Sequence, residues 1–221
     1  MQKSGITKRL LGVVLCGMLT WTACSTAWIS EAEQIVAALI PATANLVALV
    51  STLQGKSVSA ADLETIQNAG AQAGADLQLM QSLIAQYQKA DAAAQPGLLN
   101  QVQVAMSTAQ STLNNLLPAL HIKDAATQAK ITAVVGILLS EVESVAAIVP
   151  LVNPNASPGM MTMAAKQVKK QPPLSASEFV SSYNETLTAK TGNAELDRAT
   201  ARLRIHLHGK LARWASAGLL N

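Results

Sequence analysis

From Ile35 to Val50 the chain carries no charged residue, and the apolar side chains of Glu31–Leu53 fall on nearly every side of a helix. A helix of that kind has two homes, the centre of a helical protein or a bilayer. The rest of the chain must therefore act as its cover. Val36, Leu39, Thr43, Leu46, Val50 and Leu53 recur at spacings of three and four. Ser30, with Glu33 three residues on, forms a capping box expected to start this helix. Pro41 removes a backbone donor and is expected to kink or split it, and Gly55 to end it.

Three more helical patterns follow. Leu63, Ile66, Gly70, Ala73, Leu77, Met80, Ile84 and Tyr87 make an alternating three-four seam, preceded by Ser59 as cap. Gly70 and Gly74 cost this helix about 1 kcal/mol each in propensity, so a neighbouring helix is expected to approach closely there. After a break at Asp91–Ala94, Pro96 opens a third helix with Leu99, Val102, Met106, Ala109, Leu113, Leu116 and Leu120 as its seam. Asp124 caps a fourth, whose stripe is Ile131, Val135, Leu138, Val142, Val145 and Val149, and Pro150 stops it. Half of the residues are hydrophobic but only 3% are aromatic, and no alternating β-branched run is bounded by turn signals. The fold class expected is all-α: an up-down-up-down four-helix bundle over residues 28–152 with a C-terminal helical extension.

The N-terminal 27 residues have the parts of an export signal. Lys3, Lys8 and Arg9 precede an apolar stretch, Leu10–Leu19, that is short for a bilayer span, and small residues follow. Thr22-Ala23-Cys24-Ser25 resembles a bacterial lipobox, which implies a lipid on Cys24 and a membrane anchor; Trp21 stands where lipoboxes carry an aliphatic residue. The alternative is plain cleavage after Ala27. By either route the mature domain has no cysteine, hence no disulfide and no thiolate metal site.

Residues 153–173 read as a linker, broken by Pro154, Pro158, Pro172 and Pro173 and charged by Lys166, Lys169 and Lys170. Residues 174–221 read as a basic helical tail. Ser175 and Glu178 form a capping box for a helix to about Lys190, Gly192 breaks it, and Asn193 caps a last helix. That last helix would carry Leu196, Leu203, Leu207, Leu211 and Trp214 on one face, with Arg198 and Arg202 among the basic residues elsewhere. Ala27–Gly159 has four basic residues against nine acidic ones, a net −5, while Met160–Asn221 has nine against four, a net +5. The expectation is that the tail docks on the bundle through Leu203, Leu207, Leu211 and Trp214, its basic side toward Asp62, Glu64 or Asp91. An anionic membrane surface and a merely solvated helix are the alternatives.

The chemistry-bearing residues are sparse. His206 and His208 lie two apart, as do Glu141 and Glu143, so neither pair shares a helical face; the glutamates read as solvated helix charges. No phosphate-binding glycine loop or nucleophile elbow is present. The uneven charge does not put a basic face on the folded domain, so no nucleic-acid partner is expected. No catalytic set, metal site or cofactor is expected either. Two functions fit this pattern. One is a non-enzymatic envelope protein, lipid-anchored and presenting a helical bundle to a protein partner. The other is a membrane-active or lipid-binding protein that inserts residues 35–50 and 131–152.

Overall fold

The computed structural model describes residues 27–150 and 175–206, and among these the chain is all-α. Four long helices are α1 (Ala27–Thr52), α2 (Ala60–Lys89), α3 (Gln95–Ala119) and α4 (Ala125–Ile148); two shorter ones are α5 (Ala176–Thr188) and α6 (Ala194–Ala201). The stop and start signals act where the local chemistry provides them. The Ser59 side chain accepts from the Asp62 N–H at the head of α2, and Asp124 accepts from the Thr127 N–H at the head of α4. The loop after α1 turns on Gly55, whose φ of +77° is open to glycine at no steric cost.

α1 lacks the cap expected at Ser30 and the split expected at Pro41. It begins at Ala27, so Ser30 lies inside the helix and its hydroxyl accepts from Gln34 instead of capping. It also runs unbroken through Pro41, which faces solvent. The lost donor at Pro41 is one bond in a helix whose opposite face is fully packed, so tertiary burial outweighs it.

α1 packs on α2 and α4, and α3 packs on α2 and α4, so the four long helices close a ring. Three contacts set α1 antiparallel to α2: Trp28 meets Tyr87 edge-on with ring centroids 5.3 Å apart, Gln88 Nε2 donates to Glu33 Oε1 at 3.1 Å, and Val47 lies against Gly70. α3 and α4 are antiparallel as well, since Gln110 donates to Glu143 and Gln103 to the Pro150 carbonyl. Gly70 has the expected reason, because a Cβ there would overlap Val47 Cγ2. Gly74 does not, since a Cβ at that position meets nothing within 4 Å.

The seam leucines fill the centre. Leu77, Ile66 and Ile84 are wholly buried in α2, and Leu113 and Leu116 nearly so in α3. The core then continues without a break into α5 and α6, through Phe179, Tyr183, Leu187 and Leu196. Residues 175–206 thus share one hydrophobic core with the four long helices.

Candidate functional site

The C-terminal segment lies on the flank formed by α1 and α4, and this seam holds most of the unusual chemistry in the described residues. α5 is nucleated locally. The Ser175 hydroxyl accepts from the Glu178 N–H, and the Glu178 carboxylate accepts from the Ser175 N–H, completing the capping box. These bonds hold the Glu178 carboxyl below the usual carboxylate range. Phe179, Tyr183 and Leu187 follow at helical spacing and point inward, the two rings 5.9 Å apart.

Polar contacts then fix the segment at several levels. Tyr183 donates its phenol proton to the Ala42 carbonyl of α1 at 3.1 Å, and burial pushes that phenol well above its ordinary range. Lys130, on α4, reaches the C-terminal end of α5 and donates to the carbonyls of Thr186 at 2.8 Å and Ala189 at 2.6 Å. A cation is favoured there because the last carbonyls of a helix are unpaired and carry its negative pole. Burial lowers the Lys130 ammonium from its usual range, and nearby Asp197 acts in the opposite sense. Beyond α6 the described chain, to residue 206, is not helical. Asn184 donates from its side-chain amide to the Ile205 carbonyl and accepts from the Ile205 N–H, at 2.8 and 3.0 Å. Asn45 donates to the Leu203 carbonyl.

Glu141 is the exception among these satisfied groups. It is fully buried in α4, and neither of its carboxyl oxygens has a hydrogen-bond partner. Burial pushes its carboxyl up to about 8, and Glu178 of α5 and Glu31 of α1 add to the shift. The expectation that Glu141 is a solvated helix charge is therefore wrong. Glu143, by contrast, is half-buried and accepts from Gln110.

The expected docking residues separate into two groups. Arg198 is exposed, and its Nε donates to Ala194 of its own helix. Arg202 is exposed at the end of α6, and Leu203 packs partly against the core. Cys24, Leu207, Leu211 and Trp214 lie outside the described residues, as does His208. The last helix stops at Ala201 rather than continuing through Leu203, and the asparagine bonds just given hold the backbone of Leu203 and Ile205 in place of helical bonds.

Among the described residues, two charge pairings have the opposite sense to the one expected. The tail supplies acids and the bundle supplies bases: Lys56 pairs with Glu195, and Lys130 acts on Asp197. Asp62 is engaged elsewhere. It accepts from the Ser59 hydroxyl and from the His121 N–H, and these bonds hold its carboxyl below the usual range.

Sequence reasoning missed Glu141, Lys130, Asn45, Tyr183 and Asn184 as seam residues. A signal existed for two of them. Thr127, Lys130, Val134, Leu138, Glu141 and Val145 form a second three-four stripe on α4, beside the apolar one, and all six are buried. Among the described residues no group of three or more His, Asp or Glu side chains is placed to hold a metal ion. No family model, no curated protein and no solved structure matches the chain.

Proposed function

We propose that this chain is an exported, lipid-anchored protein of the bacterial envelope that acts as a non-enzymatic helical interaction module. The observation that favours it over membrane insertion is how the two most apolar helices are used. Trp28–Thr52 and Ala125–Ile148 are each long and apolar enough to cross a membrane. Yet Ile35, Val36, Leu39, Val134, Val135, Leu138 and Val142 are wholly buried against neighbouring helices. Spanning a bilayer would undo that packing and would put Glu141 at membrane depth, where an ionisable group is costly. An anchor on Cys24 would hold the folded body at a membrane surface without inserting it, and the body would meet a protein partner there.

Detergent phase separation of the chain beginning at Trp28 tests the reading. The expected result is recovery in the aqueous phase, and partition into detergent would favour insertion. Metabolic labelling with a fatty acid tests the anchor: the wild type should be labelled and Cys24→Ser should not. An unlabelled wild type whose N-terminus is Trp28 would replace the anchor with simple secretion. Cross-linking in the native envelope then identifies the partner.

A further inference from the structure

The seam between the C-terminal segment and the α1/α4 flank contains a carboxyl that its surroundings leave unsatisfied. Glu141 is fully buried where α1, α4 and α5 meet, and both its oxygens lack a partner. Every charge that acts on it is of its own sign: α1 contributes Glu31 and α5 contributes Glu178. α3, the remaining helix packed on α4, has no charged residue at all. Lys130, on the same helix, is engaged at the far end of α5. A neutral carboxyl is tolerable in this seam. An ionised one faces two like charges with no hydrogen bond and little water.

The elements around Glu141 differ in how firmly they are held. α2 and α3 pack on each other and on the other long helices. α5 and α6 reach the rest of the protein mainly through α1 and α4. Charging Glu141 therefore strains first the contact between α5 and its flank. We propose that residues 175–206 are a proton-dependent cover, docked on α1 and α4 while Glu141 carries a proton and released when Glu141 loses it. Release uncovers part of the two helices that are long and apolar enough to cross a membrane, so the cover governs access to that apolar surface.

The direction in pH follows from linkage. With the cover docked, Glu141 holds its proton up to about 8, against an ordinary value of 4.5 once it reaches water. Docking is at full strength below 4.5, weakens as pH rises through the interval from 4.5 to about 8, and levels off above it. Within that interval the docking constant falls by at most about tenfold per pH unit. Glu178 remains charged throughout, since its capping bonds hold it below the usual range.

Amide hydrogen exchange on the full chain between pH 5.5 and 9, corrected for intrinsic rates, tests the proposal. Protection of residues 176–201 should drop as pH rises to about 8 and then level, while residues 60–119 keep theirs. Glu141→Gln should flatten the profile. Should that variant fold poorly, Glu31→Gln and Glu178→Gln remove the like charges one at a time. Each should move the midpoint to lower pH. Protection of 176–201 that is constant from pH 5.5 to 9 overturns the proposal. So does a fall shared equally with 60–119, or an unchanged profile in Glu141→Gln.

Discussion

The α2/α3 side and the α1/α4 flank of this protein solve the same packing problem with different chemistry. α2 and α3 meet through an alternating three-four seam whose central residues, Leu77, Met80, Val102 and Leu113, are all but fully buried and apolar. Its buried acids are satisfied, Asp62 by Ser59 and His121 and Asp76 by Gln72. The other flank carries Thr127, Lys130 and Glu141 among its apolar residues and is closed by a segment from the far end of the chain. There, position is set by side chains that bond to backbone: Tyr183 to Ala42, Lys130 to Thr186 and Ala189, Asn184 to Ile205. Non-directional burial holds the first side, and directional bonds between distant segments give the second its register.

The largest test of this contrast compares buried side chains on the two sides. Phe179→Ala is expected to cost about 3–5 kcal/mol and Leu77→Ala about 2–5 kcal/mol, both measured by chemical denaturation. The distinction lies in where exchange protection is lost. Phe179→Ala should expose 176–206 well before α2 and α3, whereas Leu77→Ala should lower all regions together. Parallel loss in both variants would merge the two sides into one cooperative unit.

Next in size is Lys130→Met, which keeps the aliphatic stem but leaves the Thr186 and Ala189 carbonyls without their donor. A loss of about 1–3 kcal/mol is expected, and it should appear in the C-terminal turn of α5. An unchanged midpoint would mean that water replaces the ammonium at no cost.

The glycines of α2 sharpen the contrast by sign. Gly70→Ala drives a methyl into Val47 and should destabilise by about 1–3 kcal/mol. Gly74→Ala meets open space and should stabilise by about 0.4–1 kcal/mol, because alanine restricts the unfolded chain. Shifts of the same sign in thermal melts would show that α1 does not approach α2 at Gly70.

The smallest effect belongs to the exposed pair. Lys56→Ala removes the contact with Glu195, whose two side chains are 58% and 44% exposed. A change of at most about 1 kcal/mol is expected, vanishing in high salt. A larger, salt-insensitive loss would mean that this pair rather than Lys130 anchors the segment.

The two sides also differ in how much of them could be read before the structure. Seam positions such as Leu63–Tyr87 and Leu99–Leu116 follow from spacing alone, because a helix brings every third and fourth residue to one face. Cap residues Ser59, Asp124, Ser175 and Asn193 were legible for a similar reason: each bonds within three residues of itself. Ser30 had the same signature and did not cap, since the helix begins upstream of it. The flank was less legible. Asn184 bonds to a residue 21 positions away, Lys130 to one 56 away and Tyr183 to one 141 away, and no local pattern announces such partners. Net charge was no guide to single pairs. The segmental totals of −5 and +5 suggested basic tail to acidic bundle, whereas among the described residues Lys56 and Lys130 find tail acids, because pairing is decided by neighbouring atoms. Glu141 was legible in principle, since Leu138, Glu141 and Val145 keep seam spacing. The apolar stripe beside it drew the assignment away.

The order of these pieces along the chain has a consequence for biosynthesis. A ribosome delivers α1 to α4 first, while α5 and α6 follow after the 27 residues 149–175. At roughly 5–20 residues per second, the interval between completing α4 and completing α6 is on the order of several seconds. Helices and their short-range contacts form in far less than that. A molecule that folds in this order, during synthesis or as it emerges from export, passes through a stage in which the α1/α4 flank is formed and bare, an adhesive surface at the moment when other unfolded chains are nearby. Holding that stage apart from its neighbours is a task for a chaperone, and a chain truncated before Ala176 would remain in it permanently.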